Sequence, residues 1–564
     1  MKLRKMACCL LAFCLLLCPM GAWAEESPAQ DGTLRVYLKS LGEVSSLSLY
    51  LAGSYSLDGD LSMRFDRDTR LSVTLVGESL YLSVSGFTMG MGENFTLTRH
   101  TAEGENGVYI DGSPRNGLYA GDLQLKAEEG YIRCILHIGI EEYLYGVVPY
   151  EMSDSFPLEA LKAQAVAART YALQRRSVSA DRDYDVVDTT ADQVFFGYHA
   201  DYANAIAAVN ETRGLVGLYN GKYATCYYTA SNGGQTLLPT DAFELENPEN
   251  YGYLDVHDDP YDLENPSSKV LSLSIRTDGA GLPDQLSQWM KQAICEELSA
   301  MGYDGDADNI FVDCILSIEP HSPKYAEPSR MYQYLAISFT VSACPVHTPQ
   351  TPTVDDLLRA VINNRPLGDE FTLSVGEPEL VERVFTYELS VYDQLKDQLG
   401  LSINGRDYEI VSVETAYADG GVLEGFILSM RRYGHGVGMS QRGAQQMAGQ
   451  YGKSCMEILT FYYPGLSFET QSFVTPAREA LPALNVAAPD PLPELSEGEY
   501  YATVTLTTSF STLNVRSAPS TESQVLDALA HGARVIVVRE EGEWSYIRTA
   551  SLQGYVASSY LTKD

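Results

Sequence analysis

The stretch "YGVVPYEMSDSFPLEALKAQAVAARTYAL", from Tyr145 to Leu173, carries the strongest helix signal of the chain. From Leu158 onward, leucine and alanine recur at steps of three and four residues, which is the periodicity of one helix face. Ser155 is placed to cap this helix, and Pro157 suits its first turn. Six alanines between Ala160 and Ala172 predict a narrow face that another element can approach closely.

Glu151 stands just before this helix, and its surroundings allow two interpretations. A helix N-terminus favours an anion, which would lower the pKa of the carboxyl group. Apolar neighbours would instead desolvate the carboxylate and raise its pKa, as a general acid requires. These neighbours are Tyr145, Val147, Val148, Tyr150, Met152 and Phe156. The local pattern leaves both interpretations open, and Asp154, the nearest other carboxylate, is interpreted as a helix cap.

The first 24 residues have the form of a secretory signal peptide. Lys2, Arg4 and Lys5 precede the apolar run Met6–Cys18, and Ala22-Trp23-Ala24 has the form of a cleavage site. We expect a cleaved signal and a secreted or cell-wall protein, with an uncleaved signal anchor as the alternative. No later stretch is long and apolar enough to span a bilayer, so no integral membrane domain is expected after cleavage.

Charge and cysteine usage restrict the possible partners. Without the three signal cations the chain has 36 Lys and Arg against 75 Asp and Glu, a net charge of −39. Nucleic acid is therefore excluded as a partner, because phosphates require a basic surface. The six cysteines outside the signal are scattered and form no C-x-x-C pair, which leaves disulfides and buried free thiols equally open.

Patterns along the chain predict an α+β fold. From Leu34 to about Ile140, short β-like runs broken by Gly, Asn and Asp indicate a sheet-rich part. Between residues 236 and 434 the periodicity predicts helices at about Pro283–Met301 and Val354–Asn363, separated by strand-like runs. Five prolines in Thr475–Glu499 indicate a semi-rigid linker. Short strands and turns follow, which are typical of a small barrel.

Five motifs follow one another in order over about 330 residues of the chain. They are "VVPYEMSDSFPLEALKAQAVAARTYAL", "YDVVDTTADQVFFGY", "ATCYYTASNGGQT", "YLDVHDDPYD" and "YGHGVGMSQRGAQQMAGQYGKSCMEILTFYYPG". Together they resemble the stage II sporulation protein D (SpoIID/LytB) family. The predicted organisation is then a signal peptide (1–24), a sheet-rich SpoIID-like body with an Ala-rich central helix (25–474), a linker (475–499) and a C-terminal domain (500–564). The body carries a long α+β insertion at about 265–415.

The resemblance implies an activity on peptidoglycan glycan strands. Family members of known activity are lytic transglycosylases, and their catalytic acid is the glutamate that corresponds to Glu151. A hydrolase usually needs two carboxylates, whereas this reaction needs one group that acts first as acid and then as base. Other family members are described as enhancers of cell-wall amidases. A non-catalytic wall-binding enhancer that acts with an amidase is therefore the alternative function.

The motifs contain further candidate site residues. Candidate sugar contacts are Ser231, Asn232, Gly233 and Gln441. His435, within the glycine-rich segment, fits either a hydrogen-bond donor in the cleft or a structural histidine of a tight turn. Arg169 fits either a substrate contact or a paired structural cation.

The chain departs from the family at a metal-binding step. Some members bind zinc through His and Cys residues in and near a D-T-T-H-C-Q step. Here that step reads DTTADQ from Asp188 to Gln193, Val187 precedes it, and Thr229 stands where some members carry histidine. Thiolate and imidazole ligands are absent at these positions, and Ala191 cannot coordinate a metal. We therefore predict that the site holds no zinc and no other cofactor.

The C-terminal segment resembles a bacterial SH3-like domain through "LNVRSAPS" and "GYVASSYL". Trp544, Tyr546 and Tyr555 are predicted to line a wall-binding groove. For Trp544, a place in the barrel core is the alternative. Because the acidic body would be repelled by an anionic wall, a dedicated binding module of this kind is expected.

Overall fold

The structure is a computed structural model that describes residues 30–245, 247–347, 351–363, 365–367, 374–475, 478–481, 492–506, 512–550 and 552–564. The predicted signal peptide and part of the predicted linker lie outside these residues. The chain forms two compact units. The first contains the described parts of 1–42, 112–125 and 133–476, and the second those of 43–111, 126–132 and 477–564.

The first unit contains the helices. They are Ile140–Tyr145, Val148–Glu151, Leu158–Ser177, Ala203–Glu211, Pro239–Ala242, Pro260–Glu264, Asp284–Ala300, Val354–Ile362, Gln441–Gly449 and Cys455–Tyr462. Short 3-10 turns lie at Lys39–Leu41, Pro248–Tyr251 and Ala307–Asn309, and a π-helical segment spans Val391–Gln398. In the described part of the chain, no helix combines the length and apolar character needed to cross a membrane.

The Ala-rich helix, Leu158–Ser177, is the centre of the first unit. All six of its predicted interface alanines are fully buried. The helix packs against the helices Ala203–Glu211 and Cys455–Tyr462 and the strand Leu215–Tyr219, as the small side chains predict. Its predicted cap is wrong. The helix follows Pro157 without a side-chain cap, and the Ser155 hydroxyl lies 2.9 Å from that of Ser153 instead.

The first unit also contains many strands, of which Thr33–Tyr37, Val186–Val187, Leu215–Tyr219 and Lys222–Tyr223 contact this helix. Those of the first unit are Gln30–Asp31, Thr33–Tyr37, Val186–Val187, Leu215–Tyr219, Lys222–Tyr223, Tyr228–Thr229, Val270–Arg276, Ile310–Pro323, Tyr332–Ala343, Val346–His347, Ser374–Val375, Glu379–Leu380, Phe385–Ser390, Ile410–Tyr417, Leu423–Arg431, Met439–Ser440, Ser467–Thr470 and Phe473–Val474. Strand Asp122–Glu128 begins in this unit, and Tyr131–Gly139 ends in it. The strand Tyr228–Thr229 pairs in parallel with Met439–Ser440, which brings two of the sequence motifs together.

The insertion has a hydrophobic core of its own within the first unit. Helix Asp284–Ala300 buries the predicted stripe, which consists of Leu286, Met290, Ile294 and Leu298. This stripe packs with apolar residues of strands Ile310–Pro323, Tyr332–Ala343 and Leu423–Arg431. The predicted second helix is also confirmed, as Val354–Ile362, but it buries none of its residues.

The described residues of the second unit form strands and one 3-10 turn, Ser558–Tyr560. Its N-terminal strands are Ser46–Leu51, Ser54–Leu57, Asp60–Phe65, Arg70–Val76, Ser79–Val84, Phe87–Gly92, Asn94–His100 and Val108–Ile110. Its C-terminal strands are Tyr500–Val504, Thr512–Arg516, Val525–Ala530, Arg534–Glu541, Trp544–Arg548, Gln553–Ala557 and Leu561–Lys563, which form one seven-stranded antiparallel sheet around an apolar core. Both observations confirm the sheet-rich N-terminal part and the all-β C-terminal domain.

The six cysteines outside the predicted signal are all free thiols, and four of them are buried. They are Cys134, Cys226, Cys295, Cys314, Cys344 and Cys455. Of the two possibilities that the spacing left open, the fold therefore shows free thiols.

Candidate active site

Glu151 lies at the end of a single helical turn, Val148–Glu151, seven residues before the Ala-rich helix begins at Leu158. It is therefore not at the N-terminus of the Ala-rich helix, and the helix-dipole interpretation of this glutamate is wrong. Val148 and Met152 are buried on either side of it. The apolar surroundings that the sequence indicated are thus present.

Burial raises the pKa of Glu151 to about 7, because the carboxylate loses hydration. Three donors oppose this shift without cancelling it: the backbone N–H of Val194, at 2.8 Å from Oε1, and the side chains of Tyr228 and Gln441. No cation forms an ion pair with Glu151 among the described residues. A carboxyl group with this pKa is both protonated and ionised in substantial fractions at neutral pH.

A chain of hydrogen bonds leads to the carboxylate. The Tyr143 hydroxyl donates to Gln193 Oε1 at 3.3 Å, and Gln193 Nε2 donates to the Tyr228 hydroxyl oxygen at 3.0 Å. Gln193 Nε2 also lies 3.3 Å from the carbonyl oxygen of Ala168 on the Ala-rich helix. Since Tyr228 accepts from the amide, its own proton is free for Glu151. Burial keeps the pKa of Tyr228 well above its usual value, so it remains a donor.

Sequence reasoning missed the roles of Gln193 and Tyr228, although both lie within the quoted motifs. The signal available was their position: Gln193 precedes Val194, and Tyr228 begins the strand that pairs with Met439–Ser440. A glutamine and a tyrosine have no characteristic spacing, so only their contacts identify them.

Gln441 lies next to Glu151, at the start of the helix Gln441–Gly449, and its contact with a sugar stays a prediction. Ser440 caps this helix by accepting from the N–H of Gly443 at 3.0 Å. The Gln441 side chain is a hydrogen-bond partner of Glu151, and its Nε2 lies 3.5 Å from Gln164 Oε1 on the Ala-rich helix. Gln441 therefore connects the glycine-rich motif with the "EM" motif around one carboxyl group.

Ser231 and Asn232 are almost completely buried. The Ser231 hydroxyl donates to Asp262 at 2.8 Å, and Asn232 Nδ2 donates to Asp259 at 2.7 Å. The backbone N–H of Gly233 also donates to Asp262, at 3.1 Å. Burial and the neighbouring charge of Asp262 raise the pKa of Asp259 to about 6. These contacts hold the turn in place. That the three residues contact a sugar stays a prediction.

A buried arginine completes this framework. Arg432 Nε donates to the carbonyl oxygen of Asn232 at 2.8 Å, and Nη2 donates to that of Gln235 at 2.7 Å. A Cβ atom on Gly233, whose φ is +70°, would lie 2.8 Å from the backbone nitrogen of Arg432. Glycine is therefore required at this position for both its conformation and the close approach of the two chain segments.

His435 is held by backbone groups. Its Nδ1 accepts from the N–H of Val437 at 3.0 Å, and the ring also bonds to the backbone of Tyr228. Burial lowers the pKa of His435 to about 4, so the imidazole is neutral at pH 7. These contacts match the structural histidine that the sequence left open, and they use the ring to fix the glycine-rich segment.

Arg169 is fully buried, on the Ala-rich helix. Its Nε and Nη2 donate to the two carboxylate oxygens of Glu141 at 3.1 and 2.7 Å, and Nη1 donates to the carbonyl oxygen of Leu215 at 3.1 Å. The Glu141 carboxylate also accepts from the N–H of Gly214 at 3.0 Å. Arg169 is therefore the paired structural cation, the second of the two possibilities that its position allowed.

The other carboxylates near the "EM" and "DTTADQ" steps have structural partners. Asp154 Oδ1 accepts from the N–H of Ala205 at 2.7 Å, so it caps the helix Ala203–Glu211. Asp192 pairs with Arg175 at 3.1 Å and accepts from the N–H of Val187 at 2.9 Å. No group of three or more potential metal ligands occurs among the described residues. That the purified protein holds no zinc remains a prediction.

The predicted wall-binding residues lie on one face of the C-terminal sheet. Tyr546 pairs across the strands with Tyr555, and their ring centroids are 4.9 Å apart. The Arg539 guanidinium carbon lies 4.3 Å from the Tyr546 ring centroid, and Nη2 donates to the Tyr555 hydroxyl at 2.8 Å. Trp544 is only half-buried and is not part of the apolar core, whereas its strand buries Ser545 and Ile547.

Comparison with known proteins agrees with this arrangement. Residues 128–219 match the family model for the Stage II sporulation protein (SpoIID), and residues 511–562 match that for the bacterial SH3 domain. The chain is 30% identical to the amidase enhancer of Bacillus subtilis (strain 168). The matched region covers 57% of this chain and 39% of the amidase enhancer. The chain is 26% identical to the stage II sporulation protein D of Bacillus amyloliquefaciens, over 60% of this chain and 77% of the relative.

A third relative matches in a short segment. The putative N-acetylmuramoyl-L-alanine amidase YrvJ of Bacillus subtilis (strain 168) is 37% identical over 60 residues, 11% of this chain and 12% of the relative. The chain spans less than half of the length of this protein and of the amidase enhancer. It therefore carries a SpoIID domain of the Stage II sporulation protein family, which includes Glu151, and a bacterial SH3 domain.

Proposed function

We propose that this protein is an exported lytic transglycosylase of peptidoglycan, with Glu151 as its single acid and base. The observation that carries the proposal is the pKa of about 7 for a half-buried carboxyl group that has no paired cation among the described residues. Such a group can donate a proton near neutral pH and take one back in the next step. The SpoIID and bacterial SH3 domains support a site of action at the cell wall.

The reaction needs one proton carrier at two successive steps. Glu151 first protonates the oxygen of the MurNAc–GlcNAc bond, and this oxygen leaves with the bonding electrons. The Glu151 carboxylate then takes the proton of the C6 hydroxyl of the muramic sugar, whose oxygen bonds to C1 and closes the 1,6-anhydro ring. Between these steps the donors from Val194, Tyr228 and Gln441 stabilise the carboxylate.

Product analysis tests the proposal directly. The full chain is incubated with purified glycan strands, and the ends released are identified by mass spectrometry. We expect 1,6-anhydro-MurNAc ends, which are lighter by one water than the reducing ends that a hydrolase produces. Reducing ends would assign a hydrolase instead, and intact strands would leave the chain without glycan-cleaving activity.

The alternative function is a non-catalytic enhancer of a cell-wall amidase. The observation that favours it is the similarity to the amidase enhancer of Bacillus subtilis, although this chain spans only 39% of that protein. An enhancer would increase the rate of a purified amidase on wall material without releasing anhydro ends. It would do so equally well with Glu151→Gln, because enhancement does not use the proton.

The pH profile should report the carboxyl group. Because the acid must be protonated in the free enzyme, kcat/KM should fall above an apparent pKa of about 7. In Tyr228→Phe a donor that favours the carboxylate is lost, so the pKa of Glu151 should rise and the basic limb should move to higher pH. The check is kcat/KM against pH for both proteins. Superimposable basic limbs would exclude Glu151 as the titrating group or Tyr228 as its donor.

Attachment to the wall is assigned to the SH3 domain. The face formed by Trp544, Tyr546 and Tyr555 offers aromatic surface next to the Arg539 guanidinium, and sugar rings pack well on such surfaces. Holding the protein on the wall would raise the local concentration of glycan at the site without altering the chemistry.

Full-length Tyr546→Ala/Tyr555→Ala should sediment less with purified wall sacculi than the unaltered protein, because the aromatic face is lost. Its activity on soluble strands should be unchanged. The matched control is Tyr417→Ala in the insertion, where the tyrosine is 61% exposed. Equal sedimentation of all three proteins would show that this face is not the wall anchor.

A further inference from the structure

The segment Asp188–Gly197 brings a backbone donor to Glu151, although it forms neither a helix nor a strand. It follows the strand Val186–Val187, and the N–H of Val194 within it donates to Glu151 Oε1 at 2.8 Å. A segment of this kind lacks the repeating backbone hydrogen bonds that fix a helix or a sheet. Its position relative to Glu151 therefore depends on the individual side chains that tie it to the rest of the first unit.

Asp192, in the middle of this segment, has three partners. Its Oδ2 accepts from the N–H of Val187 at 2.9 Å. Its Oδ1 accepts from the Tyr171 hydroxyl at 3.1 Å, and the same oxygen lies 3.1 Å from Arg175 Nε in an ion pair. The Asp192 side chain is only 9% exposed, so water and salt screen this ion pair much less than one on the surface. The carboxylate therefore connects the start of the segment with the Ala-rich helix.

The partners on the Ala-rich helix lie on one of its sides. Tyr171 and Arg175 are four residues apart, so their side chains leave the helix in the same direction. Ala168 is about one turn earlier, and its carbonyl oxygen lies 3.3 Å from Gln193 Nε2. Two consecutive residues of the segment, Asp192 and Gln193, are thus held by the same helix. The next residue in the chain is the backbone donor of the candidate active site.

The same position is the step at which some members of the resembled family bind zinc, and it reads DTTADQ here. The residues present do not fit this ion. Both Asp192 oxygens already accept from an N–H or O–H donor. The Arg175 guanidinium lies against one of them and would repel a divalent cation at that oxygen. Asp192 therefore meets a cation of the chain itself at the place where a zinc ligand would be required.

We propose that Asp192 is a positioning residue: it holds the segment so that the N–H of Val194 meets Glu151, and it does so without a metal ion. A shift of about 1 Å would break a hydrogen bond of this length, and a misplacement of that size can cost ~100-fold in rate. The inference rests on the proposed function for the role of Glu151. The fixing of the segment itself does not depend on catalysis.

Asp192→Asn keeps the size of the side chain but removes its charge and replaces one acceptor oxygen by a donor. In the full chain, the amides of Asp188–Gly197 should then exchange hydrogen about tenfold faster. Loss of the Val194 donor should raise the pKa of Glu151, so the basic limb of kcat/KM should move to higher pH. We expect kcat to fall about tenfold and KM to stay unchanged, because the Asp192 oxygens are occupied within the chain.

Two further comparisons separate positioning from a general loss of stability. Arg175→Lys keeps the positive charge and should change the exchange rate and the pH profile less than Arg175→Met does. The matched control is Asp31→Asn, because Asp31 pairs with Arg176 of the same helix at 2.8 Å but lies outside the segment. It should exchange and turn over like the unaltered protein. Dialysis of the unaltered protein against a chelator should leave its pH profile unchanged.

The pKa of Glu151 can also be followed without catalysis. A water-soluble carbodiimide reacts with the protonated carboxyl group, so its labelling of Glu151 across a pH series, quantified by mass spectrometry, reports the titration. Unchanged labelling or unchanged hydrogen exchange in Asp192→Asn would overturn the inference, and so would activity that a chelator removes and zinc restores. If the unaltered protein cleaves no strands while Asp192→Asn alters both labelling and exchange, the positioning role stands and the transglycosylase is refuted.

Discussion

Glu151→Gln should lose at least ~100-fold in the rate of anhydro-sugar release, because the amide keeps the shape of the carboxyl group but has no proton to donate. Val194, Tyr228 and Gln441 donate hydrogen bonds to the Glu151 carboxylate. The side-chain oxygen of a glutamine at this position can still accept some of these hydrogen bonds. The folded state should therefore survive, and thermal unfolding should show it. The rate is measured by counting 1,6-anhydro ends released from purified glycan strands.

The matched control for this substitution is Glu159→Gln. Glu159 is in the first turn of the Ala-rich helix, where it pairs with Lys162 at 2.7 Å and accepts from the N–H of Cys455 at 2.7 Å. The same chemical change there removes a partly exposed ion pair of small energy and leaves the site intact. Glu159→Gln should retain near-normal turnover. If Glu151→Gln does so as well, a different group must supply the proton.

Arg169→Met should lower the free energy of unfolding of the first unit by about 3–5 kcal/mol, since it leaves Glu141 charged and buried without its partner. Hydrogen exchange of the amides of Leu158–Ser177 is a suitable measurement, because it reports the stability of this helix separately from that of other parts of the chain. The matched control is Arg176→Met on the same helix. Arg176 pairs with Asp31 while both are partly exposed, and such pairs contribute about 0–1 kcal/mol.

A second substitution shows whether the charge itself is the cause. Glu141→Gln keeps an oxygen acceptor for the N–H of Gly214, which donates to Glu141 at 3.0 Å. Arg169→Met/Glu141→Gln should therefore be less destabilised than the sum of the two single substitutions. Additive losses would mean that the stabilisation comes from packing of the arginine side chain and not from the ion pair.

Local patterns predicted much of the fold because they depend on residues close in sequence. The alanine spacing predicted the central helix, and the stripe of Leu286, Met290, Ile294 and Leu298 predicted the helix of the insertion. The cap at Ser155 failed because the N-cap position is Pro157, two residues later, and the serine hydroxyl bonds to Ser153. The amphipathic pattern of Val354–Ile362 predicted the helix correctly, although the helix buries none of its residues.

For the candidate site, too, some sequence-based predictions agree with the structure and others do not. The motif order identified Glu151 and Gln441, and both lie at the carboxyl group that is the centre of the site. The same motifs suggested Ser231, Asn232 and Arg169, which the fold uses for support. Polar residues that hold a site in place and polar residues that contact a substrate are of the same residue types. Their spacing therefore does not separate them.

The sequence by itself determined the helices and strands with regular apolar spacing, the acidic charge and the presence of a glutamate in apolar surroundings. Only the tertiary structure decided which polar groups surround that glutamate. Val194 lies 43 residues away from Glu151 and donates to it, whereas Arg169 lies closer in the chain and pairs instead with Glu141. The pKa of a carboxyl group depends on burial and on partners within a few ångströms. Folding brings those partners together from distant parts of the chain, and no local pattern records them.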